Sequence, residues 1–96
     1  MFVLLVTYKC KPGCRERYYE AIRDKHIDEL SRAEEGCIRY EYSFGVKEDE
    51  LILIEVWRDA QAIEVHKNSD HFAKLGEIKT EYVENTQFMK FRAELV

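Results

Sequence analysis

Two histidines, His66 and His71, stand five residues apart and follow a lone acid, Glu55, that interrupts an otherwise apolar row. Imidazoles change charge near neutral pH and both give and take protons. A carboxylate in an apolar row is costly unless it is paired or used. One carboxylate and two imidazoles around a single strand-to-helix junction could take a proton from a weakly acidic substrate and pass it on. A third histidine, His26, falls on the apolar stripe of an earlier helical pattern and is expected to face the same side of the sheet. The two helix positions predict different charge states. His71 lies in the first turn of its helix, where the positive dipole end favours neutral imidazole, and His66 near the end of its helix, where imidazolium is favoured. Each histidine also has a plainer reading as a satisfied core residue, and Glu55 as the buried partner of Arg58, Arg39 or a lysine. Trp57, Tyr40, Tyr42 and Phe72 read as core or interface residues, some of which would wall a flat, aromatic-sized pocket.

The spacing does not suggest a metal site. His66 and His71 are separated by a helix break, with no cysteine or acid at a standard ligand distance in the chain. Cys10 and Cys14 enclose Lys11-Pro12-Gly13 in a pattern matching no redox or zinc signature. There is no glycine-rich phosphate loop or dinucleotide fingerprint. A site working without metal, flavin or nucleotide is therefore expected.

The elements that must hold these residues follow from periodicity. Residues 2–10 form a strand apolar on both faces, ended by Lys11-Pro12-Gly13. From Arg15 to about Ala33, Tyr19, Ile22, His26, Leu30 and Ala33 recur at helical spacing, and Gly36 suits a left-handed stop. Cys37 to Val46 alternates, with Ile38, Tyr40, Tyr42 and Phe44 on one face. A charged turn, Lys47 to Glu50, leads into a strand over Leu51–Trp57. Asp59 caps a short helix to about Lys67, Ser69 caps a second to about Glu84, and Thr86 to Leu95 closes the chain as a strand.

The order β-α-β-β-α-β, with the second helical region divided, predicts an α+β, ferredoxin-like split βαβ sandwich spanning 1–96 as one domain. Helices can cover one face of such a sheet. The other face is apolar too, and 96 residues cannot hide both, so a second copy is expected there.

Bulk properties bound the partners. A net charge of −4 with no basic cluster argues against nucleic acid, and no apolar run approaches a membrane span. The start of the chain reads as a strand, not a signal peptide. Three cysteines, an odd number, fit a reducing cytoplasm better than a disulfide framework.

Several stretches together resemble one family. Glu35-Gly36, Tyr40-Glu41-Tyr42, Glu55-Val56-Trp57, and Ala62 to Phe72 with its His66-Lys67-Asn68-Ser69-Asp70-His71-Phe72 ending are similar to the antibiotic biosynthesis monooxygenase (ABM) domain, closest to its quinol monooxygenase-like branch. The resemblance implies a homodimeric ferredoxin-like α+β barrel, a pocket between sheet and helices, and oxidation of phenols or quinols by O2 without metal or flavin. His26, Glu35-Gly36, Glu55, His66 and His71 also resemble the autoinducer-2 processing branch, which isomerises a small phosphorylated keto compound. The haem-degrading branch fits poorly, because Thr7 or Tyr8, His66 and Gly76 stand at its key positions. The expectation is a cofactor-free oxygenase with His66 or His71 as base. Glu55 orients a histidine or shares the proton, His26 reaches in from the opposite helix, and Trp57, Tyr40, Tyr42 and Phe72 surround the substrate. An isomerase using the same groups and a non-catalytic dimeric ligand-binding module are the alternatives.

Overall fold

The computed structural model describes residues 1–96. Its elements are β1 (Phe2–Cys10), α1 (Arg15–Asp24), α2 (Ile27–Arg32), β2 (Cys37–Phe44), β3 (Glu50–Trp57), α3 (Ala60–Lys67), α4 (Asp70–Tyr82) and β4 (Val83–Arg92). The strands form one antiparallel sheet in the order β2-β3-β1-β4, the ferredoxin-like arrangement. Alternation decides what faces the helices. Leu4, Val6 and Tyr8 of β1 and Leu51, Leu53, Glu55 and Trp57 of β3 point inward and are buried. They meet Tyr18 and Ile22 of α1, Ile27 of α2, Ala62 and Ile63 of α3, and Leu75 and Ile78 of α4.

The first helical region differs from its expected form. Instead of one helix from Arg15 to Ala33, the chain breaks at Lys25-His26, and His26 adopts a left-handed backbone with φ 58°. The inner stripe is Tyr18 and Ile22, then Ile27 and Ser31. The step from Ile22 to Ile27 is one residue longer than a helical repeat, so the break turns His26 out of the stripe. Leu30 is likewise exposed. In β2 a bulge between Cys37 and Arg39 leaves Ile38 exposed, whereas Tyr40 is buried.

The far face of the sheet carries Val3, Leu5, Ile52, Ile54 and Val56, with Val3 opposite Phe91 and Leu5 opposite Met89. Phe91 and Met89 are exposed. No helix covers this face, and no helix is long and apolar enough to cross a membrane.

Candidate functional site

The site forms where the turn after α2, the end of β3 and the junction of α3 with α4 meet. Asp59 caps α3 by accepting from the Ala62 N–H at 2.9 Å. The Ser69 hydroxyl joins the two later helices. It donates to the His66 carbonyl at 2.6 Å and accepts from the Phe72 N–H at 3.2 Å, so the end of one helix and the start of the next share a single side chain. Against this corner packs Gly36. A Cβ there would lie 2.2 Å from the Ala62 Cβ. Its φ is not positive, so the position requires glycine for close approach and not as a left-handed helix stop.

That approach delivers a residue absent from the sequence expectation, Glu34. One of its oxygens, Oε2, lies 2.5 Å from His66 Nδ1 and 2.8 Å from His71 Nε2. A carboxylate accepts only, so each imidazole nitrogen donates to it. For His66 that fixes the tautomer: Nδ1 carries the proton, and Nε2 keeps its lone pair unless the ring is charged. Nε2 points toward Glu55 Oε1, 3.9 Å away. Glu55 Oε1 accepts from the Trp57 indole N–H at 2.9 Å. The His66 ring is enclosed by Trp57 (centroids 4.7 Å apart, planes at 36°), Phe72 (5.2 Å) and Tyr40 (5.8 Å).

Burial sets the charge states. His66 is 3% exposed. Desolvation pushes its pKa below the ordinary histidine value, against the hydrogen bond and charge of Glu34, which pull upward. The expected imidazolium at this helix end is thereby corrected: desolvation of a buried ring outweighs a helix-terminus effect of roughly 0.3–1 kcal/mol. Glu55 is pushed up to about 7, chiefly by burial; the Trp57 hydrogen bond opposes this, and Glu34 adds a smaller upward push. Near neutral pH the pair is therefore a neutral imidazole beside a carboxyl group poised to exchange its proton.

His66 and Glu55 open onto a cavity of about 250 Å³ between the sheet and α4. Its walls include Val6, Tyr8, Tyr40, Phe72, Leu75 and Phe88. A depression on the uncovered face of the sheet, at the end formed by Thr7, Lys9, Asn85 and Gln87, is lined only by polar and charged residues and holds no histidine. Burial raises the Tyr8 and Tyr40 phenols well above their usual range, with Glu55 the next cause, so both remain hydroxyl groups.

The chain thus brings His66, His71, Glu55, Trp57, Tyr40 and Phe72 together, but not every expected residue has its expected place. His26 is exposed, pairs with Glu29 at 3.6 Å and does not reach the cluster. Trp57 is fully buried behind His66 and supports it instead of walling the cavity. Tyr42 touches the site only through a 2.9 Å hydrogen bond between its hydroxyl and that of Tyr40, and lines a separate shallow cleft with Tyr19 and Phe44. Arg58 is not the partner of Glu55; it pairs with Asp59 and Glu35, and Arg39 pairs with Glu41. The donor atoms of Glu34, His66 and His71 lie within 4.8 Å of one another, a two-histidine, one-carboxylate set that could hold a divalent cation. Chain spacing concealed it, because the acid comes from a distant turn.

The chain is thus a ferredoxin-like α+β protein with a histidine–carboxylate cluster beside a small, largely apolar cavity. Comparison with known proteins narrows this. Residues 1–77 match the antibiotic biosynthesis monooxygenase family, and the chain belongs to it. It is 33% identical over 73 residues to a Bacillus subtilis protein named "Putative monooxygenase YcnE", covering 75% of each chain. Among solved structures, PA3566 from Pseudomonas aeruginosa is 26% identical, with a TM-score of 0.86 and coverage of 98% of this chain and 94% of that one. A Nitrosomonas europaea structure titled "Putative antibiotic biosynthesis monooxygenase" shares the fold at 19% identity and a TM-score of 0.86, covering 97% of this chain and 98% of its own.

Proposed function

We propose that the protein is a cofactor-independent monooxygenase acting on a phenolic or quinol small molecule, with His66 as the general base. The observation that carries this reading is the Glu34–His66 hydrogen bond, which puts the proton on Nδ1 and leaves the lone pair on Nε2, in a ring that lines the cavity. Burial keeps that imidazole neutral and able to accept a proton.

In the proposed reaction a substrate hydroxyl gives its proton to His66 Nε2. Glu34 stabilises the imidazolium that forms, as the acid of a nucleophile–base–acid triad does. The electron-rich phenolate passes one electron to O2, and the ring radical and superoxide combine at a ring carbon that bears hydrogen. Proton return from His66 gives a hydroperoxide, which loses water and leaves a ring carbonyl. One oxygen atom enters the product, the other leaves as water, and both electrons come from the substrate. Glu55, raised to about 7 by burial and so poised between its two forms near neutrality, shares the proton across the 3.9 Å gap to His66. Tyr40 and Phe72 hold the ring out of water, and His71 keeps Glu34 in place.

A hydroquinone panel in an oxygen electrode tests this, run beside an anaerobic isomerisation assay on small phosphorylated keto compounds. Oxygen uptake that depends on a phenolic substrate and is unchanged by a chelator is the expected result. Anaerobic isomerisation without uptake would replace it with the isomerase reading. Loss of uptake on chelation would mean that Glu34, His66 and His71 hold a metal instead of relaying a proton.

A further inference from the structure

The cavity has two chemically different ends. His66 and Glu55 occupy one. At the other, Lys79 projects from α4 and Thr86 from β4. Phe72 and Lys79 stand seven residues apart on α4, about 10 Å at 1.5 Å per residue. The sheet shows a comparable, slightly larger separation, because Glu55 pairs with Leu4 of β1 whereas Thr86 pairs with Tyr8. Four residues of strand span roughly 13 Å. Apolar walls from Val6, Leu75 and Phe88 lie between the ends.

Neither group at the far end has a hydrogen-bonding or ionic partner. Lys79 is half-buried and, apart from His66, is the only basic side chain lining the cavity; no carboxylate pairs with it. Its ammonium is 5.9 Å from the centre of the Tyr8 ring, which offers only the face of an aromatic. The Thr86 hydroxyl oxygen is buried and makes no hydrogen bond. A buried hydroxyl without a partner is destabilising, and a turn of the Thr86 side chain toward the cavity it lines would offer that hydroxyl to a ligand atom.

We infer that Lys79 and Thr86 form an anion subsite, and that the substrate is a phenolic acid whose carboxylate lies between them while its hydroxyl faces His66. One ammonium and one hydroxyl match a singly charged, planar acceptor. A phosphate dianion calls for more donors, and the cavity lining holds no arginine. The inference deepens the proposed function and rests on it only for the hydroxyl end.

Isothermal titration of the intact protein with four probes tests this: 4-hydroxybenzoate, its neutral analogue 4-hydroxybenzamide, 4-hydroxyphenyl phosphate, and cyclohexanecarboxylate, which has the acid without the phenol. Wild type is expected to bind 4-hydroxybenzoate at least tenfold more tightly than the amide and more tightly than the phosphate ester. The acid-over-amide preference should fall to about twofold or less in Lys79→Met, persist in Lys79→Arg, and weaken in Thr86→Val. Melting curves on each variant confirm that it is folded. Equal binding of acid and amide by wild type, or a preference untouched by Lys79→Met, overturns the subsite, and tighter binding of the phosphate ester overturns its assignment to a carboxylate. Lys79-dependent binding of cyclohexanecarboxylate without binding of any phenol would keep the subsite and sink the phenolic function. Failure of all four probes to bind would sink the subsite.

Discussion

At the scale of single residues, the site depends on two titrating groups that burial moves in opposite directions. Glu55, raised to about 7, binds its proton more tightly folded than unfolded. The folded state therefore holds more protons between the ordinary carboxyl value and about 7, and stability falls as pH rises through that window. A shift of that size corresponds to up to about 3 kcal/mol. Glu55→Gln keeps an acceptor for the Trp57 indole, so it should flatten this decline and raise the melting temperature at pH 8; an unchanged stability–pH curve would count against the raised carboxyl. His66 has the opposite sign. Its lowered pKa removes stability as pH falls below the ordinary histidine value, and the same protonation should reduce kcat/KM on the acid side. His26, outside the cluster, is a control: His26→Gly should leave turnover unchanged and stability equal or higher, because glycine adopts the left-handed backbone without strain. A large loss of rate per folded molecule would return His26 to the site.

At the scale of elements, much of the site was legible because its parts are near neighbours in the chain. Glu55, Trp57, His66 and His71 flank one strand-to-helix junction, and the caps Asp59 and Ser69 mark it. Glu34 was not legible. It lies 32 residues from His66, and the contact exists only because Gly36 lets α3 approach the turn. His26 was misplaced for a different reason: side-chain periodicity does not reveal a one-residue break when the flanking stripe is apolar on both sides of it. Nor could a strand apolar on both faces show that Trp57 backs His66 instead of lining the cavity. The close approach at Gly36 is testable. Gly36→Ala should cost roughly 1–3 kcal/mol by overpacking, seen as a drop of about 4–8 °C in melting temperature per kcal/mol. It should also lower turnover by moving Glu34 off His66, and Ala62→Gly in the same chain should restore both. Unchanged stability in Gly36→Ala would show that the corner is looser than the 2.2 Å approach implies.

At the scale of the whole molecule, the sheet has one face covered by helices and one left apolar. Val3, Leu5, Ile54, Val56, Met89 and Phe91 form a surface suited to a second copy of the chain. Sedimentation at micromolar concentration should give about twice 11.5 kDa, and Ile54→Glu should give the monomer by placing an unpaired charge on that face. A well-folded wild-type monomer would remove the homodimer proposal. The cavity lies on the helical side of the sheet, so the chemistry and the proposed pairing use opposite faces.

The most direct test of the account is the oxygen-uptake rate per folded molecule of His66→Ala and Glu34→Gln on a phenolic substrate that wild type oxidises. Removing the base should lower the rate by roughly 10²–10⁴-fold. Glu34→Gln, which weakens the hold on the tautomer without removing the ring, should give a smaller loss. Both variants should still melt cooperatively. Normal uptake in folded His66→Ala would contradict the assignment of His66 as the base and leave Glu34, His66 and His71 as a packing cluster.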